Sequence, residues 1–368
     1  MVVEKDLFGD VSVAVPKTEG IKYAGSKLKI IPHILQLVSA LPCHSVLDAF
    51  SGTTRVSQAF AQLGWKTTAN DVSTWSEVFG NCYLKSTISD KEVLEILDDL
   101  NHLPGEEGWF TQHYGADASL SKAPFQRHNT LKLDAIRPAI DRYDLTWENR
   151  CVLLTSLIYA LDSVDSTLGH YSAYLSKWSP RSYKTMELTL PKRFERTAPC
   201  EVSRGDAFDA VQKEYDLVYL DPPYGSNNEK MPPSRVRYSA YYHIWKTIIL
   251  NDEPEVFGKA NRRLDTRDTI SASVFEEFRK DKDGKFLAMK AIERLIAQTN
   301  AKFTLLSYAS GGRATREELY SIINKYGRLR QVVEIDYKRN VMSSMTWTNE
   351  WLNQEGKYQE YLFLMERN

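Results

Sequence analysis

The sequence predicts an α/β protein built on a mostly parallel sheet, and three consecutive segments carry the prediction. Residues 44–50, HSVLDAF, form a short apolar run that ends at a turn. A helical pattern with one apolar face follows at 53–64 and closes on a glycine, and a second strand-like run covers 65–72. Strand, glycine-containing turn, helix and strand in this order make a βαβ unit, which belongs to a parallel sheet.

Composition sets broad limits on the protein. The 368 residues suffice for one large domain and a smaller one, and 42% hydrophobic with 26% charged residues is typical of globular proteins. No apolar run approaches the ~20 residues of a membrane-spanning helix, and the first twenty residues lack a signal pattern. We therefore expect a cytoplasmic protein with no membrane partner.

Cysteine spacing and net charge exclude two simple interpretations. The four cysteines are far apart, which argues against a zinc site or a disulfide scaffold and predicts reduced, mostly buried thiols; they are Cys43, Cys82, Cys151 and Cys200. No metal site is predicted. The net charge of −1 means that any surface for nucleic acid must be local.

The middle of the chain has a different character. Residues 89–108 are acidic and polar, as in a solvated helix and loop, and 146–167 carry a long helical apolar pattern. Between 169 and 204, seven Lys and Arg residues stand against three Glu, with several aromatic residues among them. This local excess of positive charge beside aromatic rings makes the segment a candidate nucleic-acid surface.

The α/β pattern resumes in the second half. Strands are predicted at 215–220, 301–308, 331–337 and 358–365, and helices at 286–299 and 316–326. Residues 338–357 show no clear helix, so the last strand is expected to return antiparallel at the edge of the sheet.

Acidic residues follow the predicted strands. Asp48, Asp71 and Asp221 stand at strand ends, and Asp206 stands in a turn. Ligands of such sheets bind beyond the carboxyl ends of the strands, where Asp71 is placed for ribose hydroxyls and Gly52 for a tight bend. Since neither GxGxxG nor GK[ST] is present, an adenosine ligand without phosphates fits better than a nucleotide.

The segment YDLVYLDPPY, 215–224, ends a buried strand on a rigid turn. An amine conjugated to an aromatic ring is a poor nucleophile, and two acceptors for its hydrogens free its lone pair. The Asp221 carboxylate and the Pro222 carbonyl can be those acceptors, because prolines restrict the backbone, and Tyr224 can stack on a base. The other interpretation is structural, with the prolines stopping the strand and Asp221 capping a turn.

Five blocks occur in an order that resembles a known family. They are KYAGSKLKIIPHI at 22–34, VLDAFSGTTRVS at 46–57, AND at 69–71, GDAF at 205–208 and DPPY at 221–224. LLSYAS at 305–310, VEIDYKRN at 333–340 and YLFLM at 361–365 are also similar. The chain resembles the N6-adenine DNA methyltransferases of the alpha group, which includes the Dam-like and type II restriction-modification enzymes. It departs at Tyr23, Ala49 and Thr54, where the family usually has Trp, Pro and Gly.

The resemblance implies a class I S-adenosylmethionine-dependent methyltransferase fold, a Rossmann-like seven-stranded sheet with one antiparallel strand, carrying an inserted, mostly helical target-recognition region. It assigns 1–84 and 199–368 to the catalytic domain and 85–198 to target recognition. The long segment 225–285, which is rich in Arg and acidic residues, is a candidate lid or second DNA-contact insertion.

The resemblance also implies site residues. Lys27 would hold the donor's carboxylate, Asp48 its ammonium, Asp71 the ribose and Asp206 the adenine. The expected donor site comprises Tyr23, Lys27, Asp48, Phe50, Ser51, Gly52, Thr53, Thr54, Asp71, Val72, Asp206, Ala207 and Asp221, and the catalytic residues are Asp221, Pro222, Pro223 and Tyr224.

DNA contacts are expected from the basic-aromatic middle, at Tyr171, Tyr174, Lys177, Trp178, Arg181, Lys184, Lys192 and Arg193. The competing interpretation is that the aromatic residues belong to the core and the charges to a solvated face.

The implied reaction is site-specific DNA methylation, with transfer from S-adenosylmethionine to N6 of an adenine flipped out of double-stranded DNA. Alternatives are methylation of cytosine N4 or of adenine in RNA, and a DNA-binding module without catalysis. The expected setting is the prokaryotic or phage-infected cytoplasm near the nucleoid, as a monomer or weak dimer, with any cognate restriction endonuclease acting separately.

Overall fold

The computed structural model describes residues 15–119, 122–225, 237–271, 273–336 and 359–368. Its central sheet has seven strands: β1 Ser45–Asp48, β2 Lys66–Asp71, β3 Cys200–Arg204, β4 Tyr215–Leu220, β5 Ala301–Ala309, β6 Gly327–Asp336 and β7 Gln359–Arg367. Two-residue strands pair elsewhere, Gly115–Ala116 with Phe125–Gln126 and Val256–Phe257 with Arg262–Arg263.

Helices connect and cover these strands. The α-helices are α1 Ile31–Val38, α2 Arg55–Gln62, α3 Thr74–Gly80, α4 Asp90–Asn101, α5 Trp109–Tyr114, α6 Arg127–Ile140, α7 Trp147–Val164, α8 Ala207–Ala210, α9 Tyr238–Tyr241, α10 His243–Leu250, α11 Asp268–Ser271, α12 Leu287–Gln298 and α13 Arg316–Tyr326. A π-helical turn spans Asn81–Lys85, and 3₁₀ turns span Pro180–Tyr183, Leu264–Thr266 and Val274–Glu276.

The strand order confirms the predicted fold class. Across the sheet the order is β6-β7-β5-β4-β1-β2-β3. Strand β7 runs antiparallel to both of its neighbours, and the other pairs are parallel. A seven-stranded, mostly parallel sheet with one antiparallel strand is the class I methyltransferase arrangement that the resemblance implied.

Two details of the sheet differ from the prediction. The antiparallel return was expected at the edge, but β7 lies one strand inside it and β6 takes the edge position. Strand β3 was not predicted at all, because only its first residue, Cys200, is buried. An edge strand that is half exposed carries no apolar run to mark it.

Opposite faces of the sheet are covered by different helices. Val46, Leu217 and Leu305 pack beneath α1 and α2, while their chain neighbours Leu47 and Val218 pack on the other side against α12 and α13. Successive strand residues point to opposite faces, so the strands of a parallel sheet that is covered on both sides are continuous apolar runs. This explains why the central strands were recognisable from sequence.

The middle region is mostly helical and shares a core with the rest of the chain. Helix α7 is buried along most of its length and packs against α3, the π-helical turn, α6 and α10. Helix α4, predicted as solvated, begins at Asp90 with the Ser89 hydroxyl accepting from the Glu92 amide at 3.2 Å. The boundary 85–198 stays a prediction, because residues on both sides of it enter the same core.

The structure also describes the cysteines and the helices that could be tested for crossing a membrane. All four cysteines are buried free thiols, as predicted. Among the described residues, no helix combines the length and apolar character that crossing a bilayer requires.

Candidate active site

A cavity of about 770 Å³ opens at the carboxyl ends of β1, β2 and β4. The register brings the strand-end acids together, because Asp48 pairs with Ala69 of β2 and with Tyr219 of β4. The cavity is lined by twelve of the thirteen residues predicted for the donor site: Tyr23, Lys27, Asp48, Phe50, Ser51, Gly52, Thr53, Asp71, Val72, Asp206, Ala207 and Asp221. Pro223 of the predicted catalytic set also lines it.

The turn after β1 is held by the end of β2. Gly52 has a positive φ of 50°, and its amide donates to Asp71 Oδ2 at 3.0 Å. A side chain at Gly52 would meet the Tyr23 ring, which lies 3.1 Å from the position of a Cβ atom. The other Asp71 oxygen accepts from the Ser73 amide at 2.9 Å. Asp71 therefore shapes the Gly52 turn in addition to the predicted ribose role, which stays a prediction.

Thr54 shows why the family usually has glycine at its position. Its φ of 63° lies in the left-handed region, which costs a β-branched residue about 1–3 kcal/mol. The side chain is fully buried, and its hydroxyl accepts from Gln58 Nε2 at 3.1 Å. Thr54 is the one predicted donor residue that does not line the cavity, so its hydroxyl is used within the protein.

Asp48 is a buried carboxylate with one oxygen available. The Ser57 hydroxyl donates to Oδ2 at 2.6 Å, whereas Oδ1 has no hydrogen-bond partner among the described residues. Burial raises the pKa of Asp48 to about 7, although the Ser57 hydroxyl opposes the increase. A cationic group placed beside Oδ1 would favour the ionised form.

Asp206 occupies the start of α8, where its Oδ1 accepts from the Phe208 amide at 2.9 Å. The carboxylate thus caps this short helix at the cavity wall.

Asp221 lies in a buried cluster of ionisable groups. Lys27 Nζ is 2.8 Å from Asp221 Oδ1 and 3.4 Å from Glu360 Oε1. The Tyr224 hydroxyl donates to Asp221 Oδ1 at 2.5 Å, is also hydrogen-bonded to Glu360 and accepts from Lys27 at 2.7 Å. The Ser307 hydroxyl donates to Glu360 at 2.7 Å. The cluster joins residues from four separate parts of the chain.

Burial and charge set the protonation of this cluster. Burial raises the pKa of Asp221 to about 6; Lys27 limits the increase and Glu360 adds to it. Burial alone would lower the pKa of Lys27, but Asp221 and Glu360 raise it above its ordinary value. Near neutral pH, Lys27 is therefore an ammonium, and Asp221 is largely an ionised acceptor.

The turn after β4 is held by hydrogen bonds from β5 and from the loop that follows β5. The Tyr224 carbonyl accepts from the Arg313 amide at 3.1 Å and from the Tyr308 hydroxyl at 3.3 Å. The centroids of the Tyr308 and Tyr224 rings lie 4.8 Å apart. Lys27 Nζ lies 4.7 Å from the centroid of the Tyr224 ring. Tyr224 is not among the residues that line the cavity. Its predicted stacking on a base, like the role of the Pro222 carbonyl, stays a prediction.

One cavity wall comes from the segment that was left open as a lid or a second DNA contact. Tyr238 stacks on Tyr23, with ring centroids 5.4 Å apart, and Phe275 packs edge-on against Phe50 at 5.2 Å. The described wall residues of this segment are Tyr238, Ser239, Lys246, Leu250, Ile270, Ser271, Ser273, Val274, Phe275 and Glu276. Residues 226–236 of the segment lie outside the described residues, as do 337–358.

The sequence-based prediction missed Glu360 and Tyr238 as site residues. Glu360 stands in the last strand, where EYLFL signals only a buried strand, and Tyr238 follows a polar stretch without motif. A charged residue inside an apolar strand pattern was the available signal for Glu360, because a buried carboxylate requires a partner.

The predicted aromatic DNA contacts occupy different environments. Tyr171 is only 2% exposed and belongs to the helical core, so its side chain presents no surface to DNA in this structure. The Tyr174 hydroxyl donates to the Ala260 carbonyl. Tyr174 and Trp178 are both partly exposed.

The predicted basic contacts also divide into two groups. Lys177, Lys184 and Lys192 are exposed, as phosphate contacts require. Arg181 pairs with Asp165 and Arg193 with Asp90, which gives both arginines structural partners. All eight DNA-contact assignments stay predictions.

Within the described ranges, no group of three or more His, Cys, Asp or Glu side chains is arranged to hold a metal ion.

Comparisons with known proteins show similarity to type II methyltransferases. The chain is 26% identical over 358 residues to the type II methyltransferase M.NlaIII of Neisseria lactamica, covering 94% of this chain and 99% of that protein. It is 26% identical to M.CviAII of Paramecium bursaria Chlorella virus 1, over 87% of this chain and 92% of that protein. It is 24% identical to M.FokI of Planomicrobium okeanokoites, over 95% of this chain but only 53% of that protein.

The family described as D12 class N6 adenine-specific DNA methyltransferase matches residues 23–322. This range contains the Gly52 turn, the acids at the strand ends and the DPPY segment, and most of the chain lies within it. The match confirms the resemblance carried by the five blocks, and the chain belongs to the D12 class of N6 adenine-specific DNA methyltransferases.

Proposed function

We propose that the protein methylates N6 of an adenine flipped out of double-stranded DNA, with S-adenosylmethionine as the methyl donor. Membership of the family makes the chain an adenine-specific DNA methyltransferase; the donor, the flipped base and the residue roles are the proposal. One observation supports it: Asp221, the proposed acceptor for the amine, lines the same cavity as the Gly52 turn of the proposed donor site.

The cavity walls suit a donor with an adenosine part and a cationic amino-acid end. Asp48 Oδ1 is a buried acceptor without a partner among the described residues, which fits an ammonium group. Asp71 and Asp206 stand at the ends of neighbouring strands, where a ribose and an adenine would lie. When bound, the donor supplies a methyl group already activated by its sulfonium.

Asp221 accepts a hydrogen bond from N6 and aligns its lone pair with the methyl group. The rigid Pro222–Pro223 backbone offers the Pro222 carbonyl as the second acceptor. As the methyl C–N bond forms and the C–S bond of the sulfonium breaks, N6 becomes positively charged, and the proton that it loses passes to Asp221 or to water. Preorganised acceptors of this kind reduce the reorganisation that accompanies the developing charge.

Lys27 has a second use besides the predicted contact with the donor's carboxylate. Its ammonium lies between Asp221 and Glu360 and keeps Asp221 ionised despite burial.

The DNA substrate would be held by exposed lysines. Lys177, Lys184 and Lys192 are exposed and would neutralise phosphates.

The test is direct. The protein is incubated with duplex DNA and S-adenosylmethionine, and the DNA is digested to nucleosides for mass spectrometry. N6-methyldeoxyadenosine is the expected product. N4-methyldeoxycytidine, or preferred methylation of RNA, would refute the proposed substrate, and the absence of S-adenosylmethionine binding in calorimetry would refute the proposed donor.

A further inference from the structure

Several residues of the cavity wall have buried polar atoms without hydrogen-bond partners among the described residues, and two of them are direct neighbours in the sheet. These atoms are Asp48 Oδ1 and the hydroxyl of Tyr219. Both residues line the cavity and are 1% exposed. The motifs assign no role to Tyr219.

The register fixes the relation between these two side chains. Asp48 of β1 pairs with Tyr219 of β4 in parallel strands, so both point to the same face. On that face Asp48 is bonded to Ser57 of α2, and the Tyr219 ring meets Phe60 of α2 edge-on at 6.2 Å. The two unpaired atoms therefore lie on the α2 side of the sheet, at the wall of one cavity.

An unpaired buried polar atom is costly, and a ligand that supplies a partner recovers this cost. The charges around the two atoms indicate the sign of that partner. Lys27 pairs with Asp221 and Glu360, whereas Asp48 has no ion pair within the described part of the chain. Besides burial, the carboxylates of Asp221, Asp48 and Glu360 all raise the pKa of Tyr219, and the nearby Ser307 lowers it. The Ser307 hydroxyl donates to Glu360 at 2.7 Å and forms no hydrogen bond with Tyr219 within the described residues. The partner that suits both atoms is therefore a cation with more than one hydrogen to donate.

We infer that Asp48 Oδ1 and the Tyr219 hydroxyl together bind the α-ammonium of the methyl donor's amino-acid end. The inference rests on the proposed donor and adds Tyr219 to its site. Asp48 accepts one N–H and Tyr219 accepts another with an oxygen lone pair. Tyr219 keeps its own hydrogen, since burial raises its pKa well above the ordinary value.

Calorimetry on the full chain with three ligands distinguishes ammonium binding by Tyr219 from carboxylate binding and from a general effect on the cavity. S-adenosylmethionine carries the ammonium and the carboxylate, decarboxylated S-adenosylmethionine carries only the ammonium, and 5′-methylthioadenosine carries neither. Tyr219→Phe is expected to weaken the affinity for S-adenosylmethionine and for its decarboxylated form by roughly tenfold to a hundredfold. This is the effect expected for the loss of one hydrogen bond to a charged group. Binding of 5′-methylthioadenosine should stay unchanged.

The matched control is Tyr361→Phe. Tyr361 is also a buried tyrosine of the central sheet, but it packs on the opposite face and does not line the cavity. This variant should bind all three ligands as the unmodified protein does.

Other outcomes overturn the inference. Loss confined to S-adenosylmethionine would mean that Tyr219 binds the carboxylate, and equal loss for all three ligands would mean a general distortion of the cavity. No loss for any of them would leave Tyr219 without a role. If the unmodified protein binds 5′-methylthioadenosine but not S-adenosylmethionine, the proposed donor fails rather than the assignment of Tyr219.

A double-mutant cycle gives an independent readout. If both side chains hold the same ammonium, the effects of Asp48→Asn and Tyr219→Phe on affinity for decarboxylated S-adenosylmethionine should be non-additive. Additive effects would separate the two contacts and overturn the shared site.

Discussion

The ammonium of Lys27 lies 2.8 Å from the carboxylate of Asp221, inside a cluster that also contains Glu360. Lys27 comes from the block that precedes α1, and Asp221 from the end of β4. A residue expected to serve the donor is thus bonded to the residue expected to accept from the base amine. The predicted donor site and the predicted base site are therefore electrostatically linked.

Replacing Asp221 tests its role as acceptor. Asp221→Asn keeps the size of the side chain but replaces one acceptor oxygen with a donor, so the turnover rate should fall at least about a hundredfold, as when a preorganised stabilising group is removed. Methyl incorporation from labelled donor measures the rate, and a gel-shift assay should show DNA binding largely retained. Asp209→Asn, on the exposed part of α8, is the control. Near-normal turnover of Asp221→Asn would refute the mechanism.

The cluster predicts opposite pH shifts for two variants. Turnover needs ionised Asp221, so it should decline as pH falls through the pKa of about 6. Glu360→Gln removes a negative charge that raises this pKa, so the decline should move to lower pH. Lys27→Gln removes a positive charge that lowers the pKa of Asp221, so the decline in turnover should move to higher pH. The pH dependence of kcat at saturating donor measures both, and shifts in the same direction would contradict the assignment.

Asp48 should make donor affinity pH-dependent. In the donor-free protein its pKa is about 7, and only the ionised form attracts an ammonium. Because protonation competes with binding, affinity should fall about tenfold between pH 8 and pH 6. Calorimetry at several pH values measures this, and Asp48→Asn should bind more weakly with little pH dependence. A flat profile for the unmodified protein would mean that Asp48 does not contact the ammonium.

Two substitutions of Tyr224 separate its ring from its hydroxyl. Tyr224→Ala removes the ring that is predicted to stack on the flipped base, so 2-aminopurine at the target position should fluoresce less on binding than with the unmodified protein. Tyr224→Phe keeps the ring and removes only the hydroxyl, with its hydrogen bonds to Lys27, Asp221 and Glu360, so flipping should persist. An unchanged signal for Tyr224→Ala would count against stacking.

Three exposed lysines test the DNA surface. Each phosphate that a protein neutralises contributes about 0.9 to the slope of log affinity against log salt. Replacing Lys177, Lys184 and Lys192 by Ala should therefore flatten the salt dependence by up to about 2.7 if all three bind phosphates. The control is Lys91→Ala on α4, where Lys91 is paired with Glu95. An unchanged slope would remove these lysines from the DNA interface.

The sequence by itself determined the central strands and the order of the acids that follow them. Apolar runs ending in glycine, aspartate or proline are local signals, and α13 was predicted with the same bounds, 316–326, that the structure shows. The predicted donor turn and the DPPY segment could be proposed from sequence because the groups that each would use lie within a few consecutive residues. Twelve of the thirteen predicted donor residues accordingly line one cavity.

Only the tertiary structure decided which distant residues meet these motifs. Glu360 reaches Tyr224 across 136 residues of chain, because β7 inserts between β5 and β6. Tyr171 resembles a DNA contact in sequence but lies in the helical core. Local patterns specify which side chains can be buried, whereas strand order and helix packing determine their neighbours, and those neighbours set the charge on Asp221 and Asp48.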